Sequence, residues 1–179
     1  MKRYLLLFLA LCLVTVSGCG YSSSTLLPPE LTSINVANFV NIIDPAQEVS
    51  DRRATYSYWP GLETMITRGV IDRFIFDRHL DVENKKKATM VLEGELISFR
   101  LYPLSYDKGE SIVEFRVQIL VNMTLYNNLT GEKMWMENAF MGQSDYNISG
   151  PNALTEGEAV KAAVLDLANR IVERTVEAW

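Results

Sequence analysis

Cys19 is the residue whose neighbours most clearly indicate chemistry. It lies in the sequence Val16-Ser17-Gly18-Cys19-Gly20, after a positively charged start and an almost unbroken apolar run from Tyr4 to Thr15. A charged start, a short apolar run and small residues before a cleavage point are typical of a secretory signal peptide. The run is too short to cross a bilayer comfortably. The sequence therefore predicts a signal peptide over residues 1–18. Its cleavage would make Cys19 the first residue of the mature chain.

The residues before Cys19 resemble the bacterial lipobox, in which an aliphatic residue and two small residues precede the cysteine. The resemblance implies diacylglycerol transfer to the Cys19 thiol, cleavage before it and acylation of the new amino group. Three acyl chains exceed the two-signal threshold for stable membrane anchoring. Gly20 stands where an enteric inner-membrane lipoprotein would often carry Asp, so we expect delivery to the outer membrane. The alternative is an ordinary signal peptide with a chance cysteine.

Lysines form a second group of residues with a recognisable chemistry. Lys85, Lys86 and Lys87 are consecutive, and Lys108 lies at the tip of a predicted hairpin. Ammonium groups pair with phosphate oxygens, so these lysines could contact a phosphate-bearing lipid. The alternative interpretation, which we favour for the consecutive lysines, is a solvated loop.

No set of residues points to an enzyme. His79 is the only histidine, whereas a zinc site usually draws three or four ligands from His, Cys and carboxylate side chains. Asp44, Glu48 and Asp51 are close in sequence, but their spacing does not match an EF-hand loop. No nucleophile elbow or phosphate-binding loop is present. We therefore predict a non-enzymatic protein without a metal or cofactor, apart from the covalent lipid on Cys19.

The charge balance argues against nucleic acid as a partner. The chain has 17 basic and 22 acidic residues, for a formal net charge of −5. Loss of the signal peptide, which carries two of the basic residues, would make the mature chain more acidic. Nucleic-acid binding requires a basic face, and adhesion to an anionic membrane surface requires the same. The lipid on Cys19 must therefore provide the membrane attachment.

The elements that position these residues follow from hydrophobic periodicity. Residues 19–32 are Ser- and Pro-rich and are predicted to be a flexible tether to a folded domain over 33–179. The predicted elements are a strand over 34–40, a polar loop over 44–58, a helix from 60 to about 77–79, three strands over 88–104, 112–126 and 134–148, and a C-terminal helix from 155. Hairpin-type loops join the three later strands, which predicts an antiparallel meander. We predict a single α+β domain of order β-α-β-β-β-α, with a mostly antiparallel four-stranded sheet and two helices packed on one face.

The order of short motifs along the chain resembles a known family. These motifs are Cys19-Gly20-Tyr21, the strand Ile34 to Phe39, Gly61-Leu62-Glu63, Leu92-x-Gly94-x-Leu96, Tyr106 to Gly109 with Glu114 to Val117, Thr130 to Trp135, and the Ala-rich helix ending at Trp179. Together they are similar to the LptE family, small outer-membrane lipoproteins of lipopolysaccharide assembly. The 44–58 stretch departs from the enteric pattern.

The resemblance implies a protein on the periplasmic face of the outer membrane that plugs the LptD β-barrel translocon and helps it to assemble. It also implies a part in lipopolysaccharide transport. Lys108 lies near a hairpin position that is basic in some relatives, and Lys85, Lys86 and Lys87 are further candidates for lipopolysaccharide binding.

A different tethered binding module remains an alternative. Other periplasmic lipoproteins with a similar strand-helix order activate peptidoglycan synthases or build secretion pores. Five aromatic residues near strand ends suit core packing or a protein interface equally well: Tyr102, Tyr106, Tyr126, Trp135 and Tyr146. The identity of the partner distinguishes these roles.

Overall fold

The computed structural model of the protein describes residues 27–44, 55–56 and 59–177. Cys19, the predicted signal peptide and most of the predicted tether and 44–58 loop lie outside the described residues. The strands are β1 (Ser33–Val36), β2 (Val40–Asn41), β3 (Thr55–Tyr56), β4 (Asp81–Val82), β5 (Met90–Tyr106), β6 (Ile112–Asn127) and β7 (Lys133–Asn147), and the helices are α1 (Leu62–Asp77) and α2 (Glu156–Glu177).

The sheet is mixed, with seven strands among the described residues and the order β4-β1-β5-β6-β7; β2 and β3 also pair with β5. The antiparallel meander of β5, β6 and β7 is confirmed. The prediction of a mostly antiparallel four-stranded sheet is wrong in strand number, and it misses the parallel pairing of β1 with β4 and β5. Helix α1 carries the chain back along the sheet between β1 and β5, so these two strands run in the same direction.

Strand β5 changes which of its residues face the helices. Met90, Leu92 and Leu96 are buried in its first half, whereas Phe99 and Leu101 are buried in its second half. A register shift between residues 96 and 98 separates the two halves. An extra residue in one strand of an antiparallel pair moves the following side chains to the opposite face. Strand β6 has no such break between 117 and 121, and its alternation there is regular.

Helix α2 begins with the predicted capping box. The Thr155 backbone N–H donates to Glu158 Oε2 at 2.8 Å, and the Glu158 backbone N–H donates to Thr155 Oγ1 at 3.3 Å. The predicted apolar stripe is buried along the whole helix: Val160, Ala163, Val164, Leu167, Ala168, Ile171, Val172 and Thr175. The helix packs mainly on β7, where a Cβ at Gly142 would lie 2.8 Å from the Ala163 carbonyl oxygen. This close approach fixes α2 on the sheet.

Helix α1 lies beside α2 in the same layer. Ile66, Val70 and Phe74 are fully buried against the common core. A Cβ at Gly69 would lie 2.9 Å from Val164 Cγ1 of α2, so the two helices touch at this glycine. An open groove lies on the solvent side of the two helices at this contact.

The segment between β1 and β2 is fixed to both α1 and β5 by Phe39. Its backbone N–H donates to Thr67 Oγ1 at 2.9 Å, and the Thr67 hydroxyl donates to the Glu63 carbonyl oxygen at 2.8 Å. The Phe39 ring occupies the space that a side chain at Gly94 would need. Two of the motifs recognised in the sequence therefore meet in the core.

The end of the predicted tether packs against the domain. Leu27 and Leu31 are buried in the hydrophobic core, and the Leu31 backbone N–H donates to the Pro28 carbonyl oxygen at 2.9 Å. The packed part of the chain therefore extends at least to residue 27, six residues before the predicted domain boundary. Within the described ranges, neither helix is long and apolar enough to span a membrane.

Candidate functional site

A groove of about 710 Å³ lies between α1 and α2 on the side that faces away from the sheet. This volume is within the range of about 300–1,000 Å³ that is usual for small-molecule sites. Met65 and Phe76 of α1 and Val164 and Leu165 of α2 supply its apolar surface. The contact between Gly69 and Val164 brings the helices close enough to form a continuous floor.

Two apolar residues of the groove are unusually accessible. Phe76 is 75% exposed and Leu165 is 58% exposed, although both are large hydrophobic residues on well-packed helices. Ile75, next to Phe76, is 57% exposed. A contiguous exposed apolar surface marks an interaction site more often than scattered single residues do. The groove is therefore a candidate binding surface.

Cations outnumber anions around the groove. Arg68, Arg73 and Lys161 line it, with Asp72 as the opposing charge. The Arg73 guanidinium carbon lies 5.1 Å from the centroid of the Phe76 ring, a cation–π arrangement that places positive charge at an apolar wall. Arg73 Nε is buried and has no hydrogen-bond partner among the described residues. This basic surface stands out in a chain whose net charge is −5.

The structure places the predicted lysine sites at opposite ends of the sheet. Lys85, Lys86 and Lys87 are exposed in the turn before β5, and Asn128 Nδ2 donates to the Lys85 carbonyl oxygen at 2.8 Å. Lys108 lies in the turn between β5 and β6. The 17 residues of β5 separate the two turns, a distance of about 50 Å along the strand. The four lysines therefore cannot bind one phosphate group together.

The immediate surroundings of these lysines are partly acidic. Lys85 Nζ lies 3.4 Å from Glu93 Oε1 in an exposed ion pair. Lys108 shares its turn with Asp107 and Glu110, and Asp107 Oδ1 accepts the backbone N–H groups of Gly109 and Ser111 at 2.8 and 2.9 Å. Acidic neighbours weaken the attraction of a lysine for phosphate, because they repel the same anion. The groove offers a more basic setting than the Lys108 turn.

The five aromatic residues at strand ends divide between core and surface. Trp135 and Tyr146 are buried, and Tyr146 stacks on Phe115 with ring centroids 5.9 Å apart. Burial raises the pKa of the Tyr146 hydroxyl. Tyr106 is 57% exposed, so it is the member of this set that is most available to a partner.

The remaining candidates from the sequence do not form a site. His79 Nδ1 lies 2.7 Å from Asp77 Oδ2 at the exposed end of α1. Within the described residues, no three His, Cys, Asp or Glu side chains are grouped as metal ligands. Glu48 and Asp51 lie outside the described residues. The sequence analysis did not predict the groove. The one feature that could have indicated it is the apolar pair Ile75 and Phe76, because these residues lie outside the buried stripe of α1.

Comparisons with known proteins give the fold and the family. A protein of Xanthomonas campestris shares 12% identity over 83% of this chain and 88% of its own, with a TM-score of 0.52. A hypothetical protein of Chlamydia trachomatis shares 10% identity over 80% of this chain and 95% of its own, with a TM-score of 0.50. At these identities the likeness shows the fold alone. No curated protein matches the chain in sequence.

The family comparison covers most of the chain. The sequence model of the LptE family, described as lipopolysaccharide-assembly, matches residues 40–178. The matched range contains both helices, the three long strands and every residue that lines the groove. The chain belongs to the LptE family of lipopolysaccharide-assembly proteins.

Proposed function

We propose that the protein is an outer-membrane lipoprotein that plugs an LptD-type β-barrel, helps the barrel to assemble and takes part in lipopolysaccharide transport. The observation that carries the proposal is the family match over residues 40–178. The role is non-enzymatic and needs no metal or cofactor. The resemblance of the residues around Cys19 to a lipobox supports attachment by acyl chains to the periplasmic face of the outer membrane.

The dimensions of the sheet suit a plug. Strands β5 and β6 have 17 and 16 residues, whereas strands of about 5–6 residues are most common. Each is about 50 Å long, which exceeds the roughly 30 Å thickness of a bilayer hydrocarbon core. A rigid sheet of this length can follow the wall of a barrel across its whole height. The helices on one face leave the opposite face of the long strands available for contact.

The position of the packed N-terminal segment limits how far the domain can move from the membrane. Leu27, which is buried, lies eight positions after Cys19 in the sequence. A fully extended chain of eight residues spans at most about 28 Å. The proposed anchor therefore holds the domain close to the inner leaflet of the outer membrane, where a barrel lumen opens towards the periplasm.

Identification of the partner tests this proposal. The tagged full-length protein is purified from envelopes in mild detergent, and the stoichiometric partner is identified by mass spectrometry. We expect one large outer-membrane β-barrel at a one-to-one ratio. A Cys19→Ala variant, which cannot receive the acyl chains, serves as the control, and we expect it to be lost from the outer membrane and to recover little of the barrel.

A tethered module of another kind is the second candidate. A similar strand-helix order is found in lipoproteins that activate peptidoglycan synthases or form secretion pores. Recovery of a penicillin-binding protein, or of copies of this chain alone, would contradict the plug proposal and favour that class.

A further inference from the structure

We propose that the groove between α1 and α2 binds the lipid portion of lipopolysaccharide, with an acyl chain along its apolar floor and a phosphate at its basic rim. The inference rests on the proposed function, because it places the cargo of the assembly pathway on this chain. The proposed lipid contact thus lies between the two helices, and not at the turn with Lys85, Lys86 and Lys87 or the turn with Lys108.

The apolar part of the groove has the form that an acyl chain requires. Its lining runs along α1 from Gly61 to Phe76, 15 residues that rise about 22 Å in a helix. Leu165 and Phe76 expose most of their surface to water, and an acyl chain would cover it. Burial of apolar surface is worth about 25 cal/mol per Å². The exposed residues thus provide a driving force for lipid binding.

The charges of the groove select an anionic lipid. Arg68 and Lys161 are exposed, lie on the two facing helices and line the same groove, so both are available to a phosphate bound there. Arg73 adds a third positive charge beside Phe76. The groove has one acidic residue, Asp72, against these three cations. A neutral amphiphile would gain no electrostatic attraction from this net positive charge, and a cationic one would be repelled by it.

A second cavity, on the sheet, lacks this combination of apolar surface and positive charge. A cavity of about 480 Å³ lies against β5, β6 and β7. Its charged lining residues are Glu93 and Glu95, without a lysine or arginine. Carboxylates repel phosphate, so this cavity does not suit an anionic lipid. Among these two larger cavities of the described residues, the interhelical groove is the one with matching charge.

Site-specific photocrosslinking tests the inference in cells that make the full-length lipidated protein. Leu165 is replaced by p-benzoylphenylalanine, and Leu129 is replaced in a matched control. The two leucines are 58% and 61% exposed, but Leu129 lies in the turn between β6 and β7. We expect a lipopolysaccharide adduct at position 165 and little or none at position 129.

Charge-matched variants test the basic rim. Arg68→Gln with Lys161→Gln removes two positive charges from the groove, and Lys86→Gln with Lys87→Gln removes two from the exposed turn. The groove variant should lower the adduct at position 165 about tenfold, because it removes two charge-assisted contacts to phosphate. The turn variant should leave the adduct within about twofold of the unmodified protein.

Failure of the inference can be distinguished from failure of the proposed function. If the β-barrel copurifies with the position-165 protein but no lipopolysaccharide adduct forms, the groove assignment is wrong and the plug proposal stands. A protein adduct at position 165 would show instead that an amphipathic segment of a partner fills the groove. If the barrel itself is not recovered, the proposed function fails first.

Discussion

At the scale of single residues, Gly94 shows how core packing determines a residue type. The Phe39 ring lies against the Gly94 backbone, and its own backbone is bonded to Thr67 of α1. The ring is 3% exposed and cannot move out of the way easily. This contact gives a physical reason for the glycine in the Leu92-x-Gly94-x-Leu96 motif.

Replacement of Gly94 by Ala should destabilise the protein by about 1–3 kcal/mol, because the new methyl group overlaps the Phe39 ring. Urea unfolding followed by circular dichroism measures this loss. In a Phe39→Leu background the same change should cost less, since the ring is gone. Equal costs in both backgrounds would show that the overlap is not the cause. Gly157→Ala is a suitable control, because its Cβ would make an ordinary 3.6 Å contact with Trp59.

Asp145 and Arg116 form the best-aligned ion pair on the open face of the sheet. Arg116 Nε and Nη2 donate to the two carboxylate oxygens of Asp145, both at 2.7 Å. This hydrogen bonding is the main cause of a pKa for Asp145 below its usual value of 3.8. The side chains are 35% and 40% exposed, so solvent screens much of the attraction.

Replacement of Asp145 by Asn should therefore lower the free energy of unfolding by less than about 1 kcal/mol at neutral pH. A carboxyl group whose pKa is lowered by folding stabilises the protein above its unfolded pKa, and this stabilisation disappears as the pH falls through the folded pKa. The difference between the two proteins should thus shrink as the pH falls below 3.8 and vanish once the pH is below the lowered pKa of Asp145 in the folded protein. Denaturant titrations at several pH values measure it, with Arg116→Gln as the companion variant. A difference that persists in acid would contradict the ion-pair explanation.

At the scale of elements, the start of α2 depends on one capping box. The Thr155 backbone N–H and hydroxyl both donate to Glu158 Oε2 at 2.8 Å, and these two bonds hold the pKa of the Glu158 carboxyl below its usual value of 4.5. The helix carries eight buried residues of the core stripe, so fraying at its start exposes apolar surface. The cap is thus linked to the packing of the whole layer.

Replacement of Thr155 by Ala should cost about 1 kcal/mol of stability, because the Glu158 backbone N–H loses its hydroxyl acceptor. Thr155→Ser keeps the hydroxyl and should cost only a few tenths of that amount. Thermal unfolding of the two variants provides the comparison. A similar loss in both would assign the effect to the threonine methyl group instead of the cap.

The elements also show how much of the fold the sequence could predict. The structure confirms the predicted alternation of β6 and the predicted apolar stripe of α2, because each repeats one period without interruption. In strand β5, even-numbered residues face the core before the register shift between residues 96 and 98, and odd-numbered residues face it afterwards. The residue types alone do not reveal where this shift occurs. Strands β2, β3 and β4 have two residues each, too few to show a period.

The candidate site was harder to predict than the fold for a related reason. The lysines of the end turns were conspicuous because they are consecutive or stand at a turn. Arg68 and Lys161 lie 93 positions apart in the sequence and meet only because α1 and α2 are neighbours. Their relation depends on tertiary packing at Gly69, which a single sequence does not reveal.

At the scale of the whole molecule, the length of the sheet separates the possible lipid contacts into independent sites. The turn with Lys86 and the turn with Lys108 lie at opposite ends of β5, about 50 Å apart along the strand. Substitutions this far apart affect a binding free energy additively, within about 0.5 kcal/mol. Residues that bind one phosphate group together do not behave additively.

Double-mutant cycles on lipopolysaccharide binding should therefore separate the two arrangements. We expect Lys86→Gln and Lys108→Gln to show a coupling energy below about 0.5 kcal/mol, because no single headgroup phosphate can contact both. For Arg68→Gln and Lys161→Gln we expect a larger coupling, since both residues line the same groove. Binding of fluorescent lipopolysaccharide to the purified lipidated protein gives the affinities. Strong coupling between the two ends, with none inside the groove, would contradict both the separation of the turns and the groove assignment.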